Sequence, residues 1–442
     1  MTYTEAIQFL YNLRWFGTKL GLVNTFKLAA LAGDPQRNLR FIHVAGTNGK
    51  GSTCAMLESI YRAAGLRVGL FTSPHLISFG ERIQVNRRPV SEREVVRLVL
   101  EMQPLLGQFP RDEHPTFFEV ATVMALRYFA AQECDLVIWE TELGGRLDAT
   151  NIVRPLASVI TNIQYDHQEW LGARLASIAA EKAGIIKPGI PVITGASKPE
   201  ALRVIEKIAR ERRSPLTLVT EAETHIAPLD TLDLPLLGDH QRMNAALAVT
   251  TVRALRDQLP INEKTIRAGL SRINWPGRLQ LITQISGRKI LLDGAHNVAG
   301  AETLAAALED IFPSIKRTLI LGILEDKDWQ GMCRILAPLA SRIYLVPVSS
   351  ARAVEPGHLS RVCRRMNRSA ERVLCGSVVE ALGRATYEPF VIVTGSLYLV
   401  GEALELLEMR PGRPTRERSL NEWGAIPLFK PEPGQVSWRR NA

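Results

Sequence analysis

Short apolar runs that stop at glycine or Ser-Pro turns, each followed by an amphipathic stretch, recur along most of the chain. Phe41-Ile42-His43-Val44-Ala45 ends at a glycine-rich turn, and residues 52–64 then read as a helix. Residues 67–71 resume a strand, broken by Ser73-Pro74. Residues 117–133 carry apolar side chains at helical spacing, 135–139 form another buried strand, and 156–163 form one more, ending before Asp166-His167. Strands that are apolar on both faces and alternate with helices predict a parallel sheet covered on both sides. A second α/β unit follows Trp275-Pro276-Gly277-Arg278, with strands at 289–293, 317–321, 342–346 and 390–394 and a helix at 299–311. Gln284 to Arg288 marks the expected boundary between a first domain, 1–286, and a second, 287–408. Residues 409–442, rich in Pro, Gly and Arg and without periodicity, read as a tail whose Trp423, Phe429 and Trp438 are candidates for packing onto the body. There is no internal repeat and no low-complexity tract.

Composition narrows the class. An apolar fraction of 46% with mixed charge excludes disorder throughout, and no apolar run approaches the roughly 20 residues that span a bilayer. The first 13 residues lack the basic-then-apolar order of a secretory signal. Five cysteines, odd in number and without a C-x-x-C pair, argue for reduced thiols in the cytoplasm and against a disulfide framework or zinc site. The net charge of +9 suggests nucleic acid at first, but residues 410–442 alone hold seven basic and three acidic side chains. The remaining excess is modest and suits anionic small substrates as well as a phosphate backbone.

Gly46-Thr47-Asn48-Gly49-Lys50-Gly51-Ser52-Thr53 lies between an expected strand and an expected helix. There, backbone N–H groups and a helix N-terminus can surround phosphate, Lys50 can reach the terminal phosphates, and Ser52 or Thr53 can face Mg²⁺. The spacing is not G-x-x-x-x-G-K-[ST], because Gly51 follows Lys50. The loop nevertheless resembles that of the Mur ligase superfamily, and more narrowly the folylpolyglutamate synthase / dihydrofolate synthase family. Further matching blocks follow in order: Phe71 to Leu76, Leu143 to Asn151, Asp166 to Gly172, Glu181 to Ile185, Asp293 to Asn297 and Gly395 to Tyr398. The resemblance spans roughly residues 1–408.

The resemblance implies a P-loop-type, mostly parallel-sheet ATPase domain followed by a smaller Rossmann-like α/β domain. It also implies a reaction, the joining of a pteroate or folate carboxylate to the amino group of L-glutamate with ATP. A carboxylate is inert to amines until phosphoryl transfer turns its oxygen into a leaving group, so the site must hold a triphosphate and bring two anions together. Matching positions imply Ser73, Glu140 and His167 for Mg²⁺, as one or two ions, with room for K⁺. Lys182 matches a lysine that becomes carbamylated, and Lys50, Lys182 and His167 carry the expected catalytic roles. The nucleotide positions are Thr47, Asn48, Gly49, Lys50, Gly51 and Ser52, then Asn244, Arg278, Asp293 and His296, with Arg278 at the expected hinge. For the pterin, Thr116, Phe118, Glu119, Leu147, Asp148 and Ala149 match, with Phe118 stacking on the ring and Asp148 accepting from ring N–H groups. Taken alone, each has an ordinary reading: Ser73 as a turn former, Glu140 as a strand-end surface residue, His167 as a loop cap, Asn244 as a helix-face polar group, Phe118 as core.

The Arg-Leu-Asp-Ala-Thr-Asn form of the block is similar to that of bifunctional bacterial members and implies both dihydrofolate and polyglutamate synthesis. Three departures stand out. Glu142 replaces a usual Gly two residues after the metal Glu, and an extra carboxylate there is expected to perturb metal affinity. Val298 follows Asn297 where Pro is common. Lys19-Leu20 stands where bifunctional relatives carry an acidic residue, and Lys19 could instead pair with an anionic folate tail. Competing readings are a polyglutamate synthase alone, a cell-wall Mur ligase and a nucleic-acid-dependent P-loop ATPase. A cell-wall ligase needs a UDP-binding domain, and only about 40 residues precede the loop; the ATPase needs interleaved basic and aromatic residues, which the body lacks. The expected protein is a monomer acting on ATP, L-glutamate and dihydropteroate or folate, with no nucleic-acid or membrane partner.

Overall fold

The computed structural model describes residues 1–17, 19–407 and 416–421. Its larger sheet contains β1 (Phe41–Ala45), β2 (Val68–Phe71), β3 (Ile83–Val85), β4 (Arg88–Pro89), β5 (Leu136–Glu140), β6 (Ala157–Ile160), β7 (Val192–Thr194) and β8 (Leu216–Leu218). The order is β4-β3-β2-β5-β1-β6-β7-β8, parallel from β2 to β8 and antiparallel at the β3-β4 edge. Side-chain alternation places the cores. Phe41 of β1 joins Val137 and Trp139 of β5 in a core on one face. Ile42 and Val44 join Leu136 and Ile138 in a core on the other. Trp139 stacks on Phe71 with ring centroids 4.5 Å apart.

The smaller sheet contains β9 (Gln280–Thr283), β10 (Lys289–Leu292), β11 (Thr318–Leu321), β12 (Arg342–Leu345), β13 (Glu371–Leu374) and β14 (Phe390–Thr394), in the order β13-β12-β11-β14-β10-β9. All neighbours are parallel except β9, which pairs antiparallel with β10. Residues 284–288, the expected domain boundary, are therefore the hairpin turn inside this sheet, closed by Gln284 N–H donating to Arg288 O at 2.9 Å. The chain passes between the sheets just before β9, where Gly277 (φ 72°) and Leu279 (φ 42°) both take left-handed conformations.

The expected tail also differs in part. Arg416–Asn421 form a 3₁₀ turn, with Leu420 buried in the core that covers the first sheet. Trp423, Phe429 and Trp438 lie outside the described residues. The five cysteines are free and buried, and among the described residues no helix is long and apolar enough to cross a membrane.

Candidate active site

The C-terminal ends of strands from both sheets open into one cleft of about 700 Å³, the usual place for ligands in open α/β sheets. Gly46 follows β1 at φ 149°, and a Cβ there would stand 1.8 Å from Thr161 Oγ1, beyond β6. Thr161 Oγ1 donates to Asn48 O at 2.7 Å, while Thr47 N and Asn48 N donate to Asn162 O and Oδ1 at 2.9 and 2.8 Å. The loop is thus moulded against the neighbouring strand end. Gly49 (φ 82°) caps the helix Lys50–Ala63 without a side-chain capping bond. Asn244 closes on Gly49, where a Cβ would meet its Oδ1 at 2.4 Å. Ser52 lines the cleft, whereas Thr53 is fully buried in the helix. These features fit polyphosphate: a glycine-made concavity beside a helix N-terminus, with Lys50 at its first turn.

Ser73 and Glu140 meet at the ends of β2 and β5, with Ser73 N donating to Glu140 Oε2 at 3.1 Å. Ser73 Oγ is buried and has no partner, an orphan that a hard cation would satisfy. Burial raises the Glu140 carboxyl to about 7, against the pull of Lys50. Among the described residues no three His, Cys, Asp or Glu side chains cluster closely enough to hold a metal alone. A site here would draw on Ser73 and Glu140, with ligand oxygens completing it. His167 lines the same cleft on another side, at φ 50°, a strained conformation for a non-glycine residue.

Around His167 the second domain takes part. Lys327, beyond β11, donates to Asp166 Oδ1 at 2.6 Å, and its Nζ lies 3.2 Å from His167 Nε2. Asn297 donates to Asp166 Oδ2 and Asn48 Oδ1, each at 3.0 Å, and His296 Nε2 stands 3.7 Å from Asp166 Oδ2. Burial opposes ionisation of Asp166, but Lys327 holds its carboxyl well below the usual range. Burial, then Lys327, lowers His167 to about 3 and His296 to about 4, so both imidazoles are neutral. Asn297 also caps the helix Val298–Ile311, accepting from Gly300 N at 2.8 Å; Val298 takes its first position without loosening that cap.

Lys182 is buried and donates to Gly46 O at 2.7 Å; burial, then Lys50, brings its amine down to about 7. Asp293 holds the inter-sheet crossing by accepting from Leu279 N and Ala295 N at 2.9 and 3.0 Å. Half-buried Arg278 lines the cleft beside it.

A second pocket adjoins the cleft, lined by Thr116, Phe118, Glu119, Leu147, Asp148 and Ala149. All six expected pterin residues therefore come together. Several are already engaged by the chain. Thr116 and Glu119 form a capping box on the helix Phe117–Ala131, and Glu119 Oε1 also takes Thr25 Oγ1 at 3.1 Å. Asp148 accepts from Glu142 N, Leu143 N, Thr150 N and Thr150 Oγ1, which fills its acceptor sites. Lys19 lines this pocket with its ammonium on two carbonyls, Asp112 O and His114 O.

Residues 44–227 match the Mur ligase middle domain and 277–397 the Mur ligase glutamate ligase domain. A Bacillus subtilis dihydrofolate synthase/folylpolyglutamate synthase is 36% identical over 92% of this chain and 99% of its own. Its Escherichia coli counterpart is 33% identical over 91% and 95%. The chain belongs to the dihydrofolate synthase/folylpolyglutamate synthase family of Mur ligases. Among solved structures, Thermotoga maritima folylpolyglutamate synthase superposes with a TM-score of 0.81 at 33% identity, covering 94% of this chain and 99% of that one. An Escherichia coli protein in complex with DHPP and ADP gives 0.82 at 30% identity, over 93% and 99%. Like other family members, this chain is an ATP-dependent ligase with a large, mostly parallel N-terminal sheet and a smaller second α/β unit. Sequence reading missed Lys327, Arg82 and Arg352. Arg352 bonds Asp326 Oδ1 at 3.0 Å and Tyr398 OH at 3.3 Å on the far wall of the cleft. Each is an isolated cation whose partners are set by tertiary structure, and only the family block at Asp166-His167 hinted at an anionic site for one of them.

Proposed function

We propose that this chain adds L-glutamate both to dihydropteroate and to reduced folates already carrying glutamate, through an acyl phosphate made with ATP. The observation that carries the reading is the junction of a glycine-moulded loop, an orphaned Ser73 hydroxyl beside Glu140 and an adjoining aromatic-walled pocket. The loop from Thr47 to Ser52 would hold the phosphates, with Asn244, Arg278, Asp293 and His296 around the rest of the nucleotide. Ser73 and Glu140 would hold one Mg²⁺ and His167 a second, screening phosphate charge as the acceptor's carboxylate approaches. Lys50 orients the terminal phosphate at the helix N-terminus. Lys182, partly neutral near pH 7, can add CO₂ at its amine and release a proton to solvent, becoming an anionic carbamate facing the loop. Phe118 offers a flat face to the pterin, and Asp148 acts by fixing the Glu142–Leu143 backbone that walls the pocket.

The strand-order switch between β5, β1 and β6 sets the phosphate loop and Glu140 beside each other at the mouth of the acceptor pocket, where the two substrates can be held together. The substrates are small molecules, and we assign the chain to the cytoplasm as a monomer without nucleic-acid partners. Incubation with ATP, Mg²⁺ and labelled glutamate, offering dihydropteroate or tetrahydrofolate separately, tests the reading. Incorporation with both is expected. Incorporation with tetrahydrofolate alone would leave a polyglutamate synthase, and incorporation with neither would refute the assignment.

A further inference from the structure

Glu142, Leu143 and Asn421 line both the pterin pocket and the nucleotide cleft, and so mark the passage between them. In that passage Glu142 Oε1 accepts from Arg82 Nη1 at 3.2 Å. The Arg82 side chain is wholly buried, whereas that of Glu142 is 17% exposed. The remaining guanidinium nitrogens are fixed: Nε donates to His75 Nδ1 at 2.9 Å and Nη2 to Asn421 Oδ1 at 2.7 Å. The ring of Phe117 lies 5.3 Å beneath.

Those partners are themselves held. His75 Nε2 bonds Glu417 O at 2.8 Å, which leaves Nδ1 as the acceptor Arg82 requires. Asn421 Nδ2 donates to His75 O at 2.8 Å, and Glu417 Oε2 takes Phe79 N and Tyr3 OH at 2.6 and 2.9 Å. The C-terminal turn and the segment after β2 thus clamp Arg82 in place. Its one contact toward the passage is a carboxylate on a partly exposed side chain.

We propose that Glu142 is a built-in stand-in for the acceptor's carboxylate: it neutralises Arg82 in the empty site, and the incoming acceptor displaces it. This rests on the adjoining pocket being the acceptor site. An acceptor seated there must send its terminal carboxylate through the passage to reach the phosphates. Two carboxylates do not share that space with one guanidinium, because like charges in a buried site repel strongly. Arg82 is anchored on both sides, so the group that yields is Glu142. A buried guanidinium also needs a charged partner at all times, and the exchange supplies one before and after binding. Arg82 becomes a binding residue for the acceptor, Asn421 and His75 its positioning residues, and Glu142 the element that sets how strongly a carboxylate must bind to enter.

The test is direct binding of dihydropteroate to the full chain with ADP present, alongside steady-state KM values. Glu142→Gln keeps a hydrogen-bond acceptor for Arg82 but removes the competing charge; acceptor Kd and KM are expected to fall at least threefold, with KM for ATP unchanged. A dihydropteroate analogue with a carboxamide in place of the carboxylate should bind both proteins equally. Arg82→Lys should raise acceptor Kd about tenfold. If Glu142→Gln leaves acceptor affinity unchanged or weakens it, or tightens carboxamide binding as much, the proposal is overturned; a merely structural pair predicts weaker binding. Phe118→Ala separates the two readings. Weaker acceptor binding in that variant with no effect of Glu142→Gln removes this proposal alone, whereas no effect of either removes the pocket assignment. Glu142 is partly exposed, so its variant remains informative even where Arg82→Lys fails to fold.

Discussion

Ser73 Oγ is buried without a partner while its own backbone N–H holds Glu140. An unsatisfied buried hydroxyl costs about 1–3 kcal/mol, so Ser73→Ala should leave Tm unchanged or raise it slightly. The same variant is expected to lower kcat/KM at least tenfold, because the oxygen offered to the cation is gone. Calorimetry set against glutamate incorporation reads the two effects separately, and a lowered Tm with normal turnover would make the hydroxyl structural. His43 gives a second residue-scale expectation. It is fully buried in β1, bonded to Thr150 Oγ1 at 2.9 Å, and burial, with a smaller push from Lys187, lowers it to about 3. The unfolded chain takes up a proton near pH 6.5 that the folded chain refuses until about pH 3. Its contribution is therefore complete above pH 6.5 and drains away as pH falls toward 3. Tm should decline between pH 6.5 and 5, and more shallowly in His43→Gln; equal slopes would contradict the assignment. Ser73 and His167 drew attention because each lies inside a recognisable block, and Glu140 because it ends a continuous apolar strand. Arg82 and Lys327 were not legible, since a lone cation carries no local pattern and the carboxylates that pair with them, Glu142 and Asp166, lie 60 or more residues away.

At the scale of elements, the phosphate loop is tightly constrained by its neighbours. A methyl on Gly46 would overlap Thr161 Oγ1, which itself fixes Asn48 O. Overpacking of this kind costs about 1–3 kcal/mol, and the positive φ adds strain for any L-residue. Gly46→Ala should cut ADP affinity at least tenfold by titration calorimetry while the folded state persists; unchanged affinity would mean the loop does not hold the nucleotide. Buried parallel strands such as β1, β5 and β14 were readable because two covered faces demand continuous apolar runs. β9 escaped because it is an antiparallel edge strand, half-buried, with polar Gln280 and Thr283 at its ends. The C-terminal turn escaped for a different reason. Its sequence is charged and aperiodic, and only contacts with Tyr3, His75 and Phe79, more than 300 residues distant, make it part of a pocket wall.

For the whole molecule, the question is how two sheets joined by one crossing before β9 form a single cleft. Polar ties across it include Asn297 with Asn48 and Asp166, Lys327 with Asp166, and Arg418 with Glu405. Lys327 and Asp166 side chains are each only 8% exposed, and removing one partner of such a pair costs about 3–5 kcal/mol. The nucleotide residues fall on both sides, with Thr47 to Ser52 on the first unit and Asp293 and His296 on the second. Nucleotide binding therefore depends on the fraction of molecules already closed, and apparent affinity falls in proportion to that fraction. A loss of about 1.4 kcal/mol of closing energy is enough for a tenfold effect, well within what Lys327 supplies. Lys327→Met should raise ADP Kd at least tenfold and lower Tm, and Lys327→Arg should recover part of both. The acceptor pocket lies almost wholly on the first unit, so dihydropteroate affinity without nucleotide should stay within about twofold of the parent. A Lys327→Met variant that binds ADP normally would show that this ion pair does not govern closure.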